Sequence, residues 1–156
     1  MKLRLIAAGT NMPAWVTTAF DDYRKRLPPQ LKLELVEIAV AHRGNNADIA
    51  RLKKDEGTQM LRALRPDDHI VAFDERGESL ATLDWAKALK QWMQDGHDVA
   101  FLVGGPDGLA PEVLQHARQR WSLSKLTLPH ALVRVFVAEQ LYRAYTVLTN
   151  HPYHRA

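Results

Sequence analysis

The sequence predicts an α/β fold in which helices sandwich a mostly parallel sheet. Apolar runs of strand length alternate with segments of helical periodicity along the whole chain, a pattern typical of parallel sheets. The run Val99–Val103 is entirely apolar, as expected for a strand buried on both faces. Neither an internal repeat nor a linker divides the 156 residues, so we expect a single domain over residues 1–156.

The alternation predicts five strands and five helices. Strands are predicted over Lys2–Ala8, Lys32–Val40, His69–Asp74, Val99–Val103 and Lys125–Leu128. Helices are predicted over Pro13–Arg26, from Asn46 to about Leu64, and over Thr82–Asp95, Pro111–Arg120 and Ala131–Leu148.

Local signals set the element boundaries. Pro13 suits a first helical turn, whereas Asn46 and Thr82 are residue types that cap helix starts. Gly96 is the expected C-terminal glycine of the helix that begins at Thr82. The segment Glu75-Arg-Gly-Glu78 is predicted to be a turn after the third strand.

Composition limits the chemistry and the compartment. The chain has no cysteine, which excludes disulfides, thiolate metal sites and cysteine nucleophiles and suits a reducing compartment. The apolar run near Met1 is shorter than the core of a signal peptide. No stretch approaches the roughly 18 apolar residues that suggest a membrane span, so we expect a cytoplasmic protein.

Charge is distributed unevenly along the chain. Residues 1–65 carry 12 Lys/Arg and 7 Asp/Glu, a balance of +5, whereas residues 66–129 carry 6 and 10, a balance of −4. Residues 130–156 carry 3 and 1, a balance of +2. Two basic segments around an acidic one suit a polyanionic partner without establishing one.

Two segments are candidates for a ligand site. Gly104-Gly105-Pro-Asp-Gly108 follows a buried strand, where α/β sheets bind ligands, and adjacent glycines let a ligand approach the main chain. The alternative is a tight turn with no ligand. The apolar segment Leu123–Leu128 is either a buried edge strand or a loop whose main chain and leucines hold a flat heterocycle such as adenine.

Three histidines near the C-terminus, His130, His151 and His154, raise the possibility of a metal site. The tail lacks carboxylates and helically spaced histidine pairs, so we predict no metal. Acid/base chemistry or substrate binding is favoured, because histidine titrates near neutrality. A solvent-exposed tail histidine without a function remains the alternative.

The last helix and the tail are unusual for a C-terminus. The first half of Ala131–Leu148 is apolar nearly all round, which predicts burial in a subunit interface. Only Arg134 interrupts it, so Arg134 requires a carboxylate or a substrate phosphate as a partner. The tail Asn150-His-Pro-Tyr-His-Arg155 concentrates rings and an arginine, which predicts that it packs or reacts.

Several segments, in order along the chain, resemble the large-subunit rRNA pseudouridine methyltransferase H family. These segments include Met1–Leu5, Lys53–Gly57, Phe101–Gly108, Leu123–His130, Leu132–Val135, Glu139–Ala144 and Asn150–His154. The resemblance implies a trefoil-knotted homodimer that uses S-adenosylmethionine. It also implies methylation of N3 of pseudouridine 1915 in helix 69 of 23S rRNA, on the assembled ribosome.

The resemblance also implies site residues. The cofactor positions fall on Phe73, where an aliphatic residue is expected, on Gly104 and Gly105, and on Leu123, Ser124, Lys125, Leu126, Thr127 and Leu128. In the substrate site, His154 would accept the N3 proton and Tyr153 would stack on or orient the base. Arg155, Arg134 and His130 would bind phosphate or uracil carbonyls.

Two alternative functions remain open at this point. The first is a methyltransferase of the same fold that acts on another RNA position. The second is a ribosome-binding assembly factor without enzymatic activity, which the glycine turn and the apolar loop make less favoured.

Overall fold

The structure, a computed structural model, describes residues 1–40, 44 and 48–155. The strands are β1 (Lys2–Ala8), β2 (Lys32–Ile38), β3 (His69–Ser79), β4 (Val99–Val103) and β5 (Gln119–Ser122). The helices are α1 (Ala14–Arg26), α2 (Ile49–Ala63), α3 (Thr82–Asp95), α4 (Pro111–His116) and α5 (His130–Leu148). A single 3-10 turn, Pro29–Leu31, precedes β2.

The strands of the described residues form a five-stranded sheet in the order β2-β1-β4-β3-β5, with every neighbouring pair parallel. Strand β4 therefore enters the sheet between β1 and β3. All its residues are buried, which confirms that Val99–Val103 is covered on both faces. Parallel pairing also brings the carboxyl ends of all five strands to one edge.

Two hydrophobic cores cover the faces of the sheet. One face packs mainly against α1, α3 and α5, and its buried residues include Phe20, Trp85, Leu89, Trp92, Phe101, Trp121, Val137 and Leu141. The other face packs against α2 and α4, with Ile6, Met60, Leu102 and Val113 among its buried residues. The predicted α/β arrangement with helices on both faces is therefore confirmed.

Several predicted boundaries are confirmed within one or two residues. Strands β1 and β4 have the predicted bounds, and α1, α3 and α5 differ from prediction by at most one residue at either end. Gly96 follows α3 with φ +75°, the left-handed conformation expected of a C-terminal glycine. Thr82 is the first residue of α3 rather than its cap, and its hydroxyl instead donates to Gln140 Oε1 at 2.9 Å.

At its start, α2 departs from the prediction. The predicted cap, Asn46, lies outside the described residues. Asp48 caps the helix instead, because its carboxylate accepts a hydrogen bond from the backbone N–H of Arg51 at 3.2 Å.

The prediction of a helix over Pro111–Arg120 was wrong beyond His116. The chain instead turns into β5, where Arg118 N donates to Ile70 O at 2.9 Å and the following residues pair with β3. Trp121 is only 1% exposed in this strand. The pairing buries a large ring that a continued surface helix would leave in water.

The predicted turn at Glu75–Glu78 is part of β3. The pairing of β3 with β5 shifts register between Phe73 and Glu78, so the strand bulges and then resumes. Gly77 permits this path, because a Cβ there would lie 2.7 Å from the backbone carbonyl carbon of Arg120.

The predicted last strand, Lys125–Leu128, is a loop. Local hydrogen bonds replace sheet pairing: the Ser122 hydroxyl donates to Ser124 O at 3.0 Å, and Leu126 N donates to the Ser124 hydroxyl at 2.9 Å. Serine side chains that bind nearby backbone groups compete with strand formation in this way.

Candidate active site

A cavity of about 690 Å³ opens at the carboxyl ends of β3, β4 and β5. Three segments form most of its wall: the end of β3 with its bulge, the turn after β4, and the loop between β5 and α5. Lining residues from the predicted cofactor set are Phe73, Gly104, Gly105, Leu123, Ser124, Leu126, Thr127 and Leu128. Of that set, only the exposed Lys125 does not line the cavity.

The glycine turn is a tight turn that also lines the cavity. Gly108 N donates to Gly105 O at 3.0 Å, and Gly108 has φ +79°. A Cβ on Gly104 would lie 2.5 Å from the carbonyl carbon of Gly108 and 2.7 Å from Leu109 N. Only glycine therefore fits at position 104, because the turn folds back onto it.

The leucine loop (residues 123–128) also lines the cavity and contributes three leucines to it. Leu126 is 73% exposed even though it lines the cavity, which makes it the most exposed large apolar residue among those described. A leucine beside a cavity with this exposure is well placed to be covered by an apolar ring of a ligand.

Phe73 belongs to an aromatic cluster beneath the cavity. Its ring stacks on Trp85 with 5.7 Å between centroids and on Phe101 with 5.9 Å. Trp85 in turn lies 5.0 Å from Trp121. The ring at position 73 is thus fixed by its neighbours and presents a rigid apolar surface to the cavity.

Sequence reasoning missed the charged lining of the cavity. Lys53 approaches from α2, Asp74, Glu75 and Arg76 from the β3 bulge, and Asp107 from the glycine turn. The bulge places its charges there because the chain leaves the ladder after Phe73. Three carboxylates in one cavity suit hydroxyl groups and cationic groups of a ligand. Gly77 was the available sequence signal, since an isolated glycine in a strand indicates a bulge.

His130 is the one predicted substrate-binding residue that lines the cavity. Burial lowers the pKa of His130 from its ordinary value of 6.5, and the positive charge of Arg134 lowers it further. The imidazole is therefore favoured in its neutral form near neutral pH, in which one ring nitrogen can accept a proton.

Arg134 is 1% exposed and is bound by protein groups. Its Nη1 donates to Glu37 Oε2 at 2.7 Å, while Nη2 donates to Gly9 O at 2.7 Å and Ala8 O at 3.3 Å. A methyl group on Gly9 would lie 3.4 Å from Nη2 of Arg134 and 3.5 Å from Nε2 of His130. Arg134 therefore has a carboxylate as its partner, one of the two kinds that the sequence left open, and it lies beside His130 without lining the cavity.

The C-terminal tail does not line the cavity of its own chain. Tyr153 packs on Tyr142 with 4.7 Å between ring centroids, and its hydroxyl donates to Glu139 Oε1 at 3.0 Å. Burial, followed by hydrogen bonds to Tyr23 and Glu139, raises the pKa of Tyr153. His154 is half-buried and Arg155 is exposed. Within one chain the structure brings His130 to the cofactor candidates but does not bring Tyr153, His154 or Arg155 there.

Neither a metal cluster nor a membrane helix is found in the described ranges. No group of three or more histidine or carboxylate side chains among residues 1–40, 44 and 48–155 could hold a metal ion. In the same residues no helix is both long and apolar enough to cross a bilayer.

Parallel strands with a ligand-sized cavity at their carboxyl ends are the arrangement in which α/β proteins bind small molecules. The family model described as "predicted SPOUT methyltransferase" matches residues 1–154. The chain belongs to this SPOUT methyltransferase family, whose members generally use S-adenosylmethionine.

A solved structure is similar to the chain in fold. A protein from Neisseria gonorrhoeae assigned to a methylase family superimposes with a TM-score of 0.52 at 14% identity, covering 90% of this chain and 81% of that one. At this identity the likeness concerns the fold alone.

Proposed function

We propose that the protein uses S-adenosylmethionine to methylate N3 of pseudouridine 1915 in helix 69 of 23S rRNA, on assembled ribosomes in the cytoplasm. Membership of the SPOUT family supports methyl transfer. The resemblance of seven segments, from Met1–Leu5 to Asn150–His154, to the pseudouridine methyltransferase H family supports pseudouridine 1915 as the substrate. The single observation that carries the proposal is the cavity that joins the glycine turn to the leucine loop.

The residues of the cavity fit the proposed cofactor. Its volume of about 690 Å³ lies in the range of small-molecule sites. The leucine loop and Phe73 offer apolar surface to an adenine ring, while the glycine turn exposes main-chain groups to its edge. Asp74, Glu75 and Asp107 supply carboxylates for ribose hydroxyls and for the positive charges of the amino and sulfonium groups.

The proposed mechanism is a direct displacement in which the protein positions and desolvates the reactants. The bound cofactor would supply an activated methyl group. On the side of the protein, His154 would accept the N3 proton, with Tyr153 orienting the base and Arg155 binding phosphate. His130, which lines the cavity, is the alternative acceptor.

We further propose that the protein is a homodimer through α5 and that its C-terminal part is knotted as in the resembling family. Val135 and Leu132 are half-buried, and Phe136 is 41% exposed, so α5 retains an apolar surface that its own chain leaves open. In such a dimer we propose that the tail of one copy serves the cavity of the other, because no tail residue lines the cavity of its own chain.

Two assays test the proposal. Calorimetry should detect binding of S-adenosylmethionine, and radiolabelled methyl groups should pass to ribosomes that contain pseudouridine at the target position. Equal methylation of ribosomes without pseudouridine would indicate another RNA position. Ribosome binding without any affinity for the cofactor would indicate the assembly factor and overturn the enzyme assignment.

A further inference from the structure

The tail folds back along α5. Asn150 has φ +56°, a left-handed conformation that asparagine tolerates, and this reverses the chain after the helix. His151 N then donates to Thr146 O at 3.0 Å. The reversal places Tyr153 against Tyr142, on the side of α5 that faces α1.

Two residues of α5, Glu139 and Arg143, bind this returning tail, and we name them the tail-binding pair. Glu139 Oε1 accepts hydrogen bonds from the Tyr153 hydroxyl at 3.0 Å and from Arg143 Nε at 2.8 Å. Arg143 Nη1 donates to the carbonyl oxygen of His154 at 2.9 Å, and its guanidinium lies 4.9 Å from the centre of the Tyr153 ring. The pair therefore fixes both a side chain and the main chain of the tail.

Glu139 and Arg143 make more contacts than an ordinary ion pair on a helix surface. Glutamate and arginine four residues apart on a helix commonly pair with each other and require no third partner. Here the Glu139 and Arg143 side chains are 16% and 28% exposed, and both reach groups 11 or more residues away in sequence.

One polar atom of the folded-back tail is buried in an unfavourable environment. His154 Nδ1 is buried and has no hydrogen-bond partner among the described residues. A buried polar atom without a partner is unfavourable, so contacts elsewhere in the tail must hold His154 in this position.

We propose that Glu139 and Arg143 are positioning residues for methyl transfer, which hold the tail in the geometry from which His154 and Arg155 meet the RNA. This inference rests on the proposed function, because it assigns the tail to that reaction. Neither residue lines the cofactor cavity, so the pair acts through the tail.

The first test compares Glu139→Gln with Asp95→Asn in the full-length protein. Asp95, on α3, also accepts a hydrogen bond from a side chain four residues away, Gln91 Nε2 at 2.9 Å, but has no contact with the tail. Glu139→Gln should accelerate hydrogen exchange at the amides of His151 and of residues 153–155 and lower kcat on ribosomes by about 10- to 100-fold, as expected of a misplaced reacting group. The KM for S-adenosylmethionine and its calorimetric affinity should stay within about twofold, and Asp95→Asn should alter none of these quantities.

Arg143 provides a graded test. Arg143→Ala should release the His154 carbonyl and lower kcat similarly, whereas Arg143→Lys keeps one cation and should recover part of the lost rate. Equal rates for the two variants would contradict a positioning role for the guanidinium.

A double-mutant cycle of Glu139→Gln with Tyr153→Phe tests whether Glu139 acts through the tail. If it does, the double variant should lose little more activity than either single variant, because both changes act on the one hydrogen bond between these side chains: Glu139→Gln weakens its acceptor and Tyr153→Phe removes its donor. Additive losses, or unchanged exchange at the amides of His151 and of residues 153–155 in Glu139→Gln, would overturn the inference. Failure of the wild-type protein to methylate ribosomes would instead overturn the proposed function, and the exchange rates would still report whether the pair holds the tail.

Discussion

Arg134 and Glu37 form an ion pair, with 2.7 Å between Nη1 and Oε2, that ties the first turns of α5 to the carboxyl end of β2. The guanidinium is 1% exposed whereas the carboxylate is 36% exposed, so the pair lies at the boundary of the core. It fixes the start of α5, and with it His130, against the edge of the sheet where the cavity opens.

Loss of this carboxylate should destabilise the protein. Glu37→Gln replaces the carboxylate with a neutral amide, so the buried guanidinium keeps only uncharged acceptors, and the free energy of unfolding should fall by about 1–3 kcal/mol. Urea denaturation measures this change. The control is Glu34→Gln on the same strand, because Glu34 pairs with exposed Lys32 at 3.5 Å and should contribute less than about 1 kcal/mol. Equal losses in the two variants would show that burial of Arg134 does not depend on its partner.

Substitution of Gly104 should abolish cofactor binding. Any Cβ at this position meets the backbone of Gly108 and Leu109 within 2.8 Å, so Gly104→Val must open the turn. The rest of the sheet should still fold, because strand β4 ends at Val103. Gly96→Ala is the control: it has open space but φ +75°, so it should cost about 1–2 kcal/mol of stability and leave calorimetric affinity intact. Unchanged affinity of the Gly104 variant would remove the turn from the cofactor site.

A charge on the open face of α5 should dissociate the proposed dimer. Val135 is half-buried in the single chain, so Val135→Glu should leave the chain folded while placing a carboxylate in the subunit interface, where it is costly. Light scattering should report monomers for this variant and dimers for the wild type at micromolar concentration. Leu83→Glu on α3, where Leu83 is 63% exposed, should remain dimeric. A monomeric wild-type protein would contradict the dimer.

Truncation after Asn150 should separate methyl transfer from folding. It removes the Tyr153 ring from Tyr142, and such a ring pair contributes about 0.5–1.5 kcal/mol, so the melting temperature should fall by a few degrees. Cofactor affinity should largely survive because none of residues 151–155 lines the cavity. Methylation of ribosomes should fall at least about 100-fold, as expected for loss of a proton acceptor and its orienting groups. Near-normal turnover would assign the chemistry to other residues, with His130 the first candidate.

The ionisation of His130 should make stability depend on pH. Its folded-state pKa is lowered, first by burial and then by Arg134, so the unfolded chain binds the proton more tightly. The contribution of this group to stability should therefore be complete above pH 6.5 and should be lost as the pH falls from 6.5 through the lowered folded-state pKa. An NMR titration of the His130 ring should give a midpoint below 6.5. His130→Asn should remove this part of the pH dependence, and a midpoint at or above 6.5 would contradict the buried environment.

Much of the candidate site was predictable because its backbone segments have local signatures. Gly104 and Gly105 follow an apolar strand, and the leucine loop precedes a long apolar helix; together with Phe73, which only the family resemblance indicated, they supply the eight of nine predicted cofactor residues that line one cavity. The charged residues Asp74 to Arg76 were missed because only the register shift of β3 against β5 directs them there. Sequence patterns report one strand at a time, whereas a register shift belongs to a pair of strands.

The sequence by itself determined the α/β class, the bounds of β1 and β4 and the course of α1, α3 and α5, because periodicity and helix-ending residues act within a few positions of the chain. Tertiary structure alone decided that Gln119–Ser122 is a strand, since burial of Trp121 against distant aromatic rings outweighs its local preference. It likewise decided that Arg4 of β1 is buried beside Asp68, and that the tail returns to Glu139 and Arg143. Each of these outcomes depends on partners far away in sequence, whose contributions to the free energy exist only once the chain has folded.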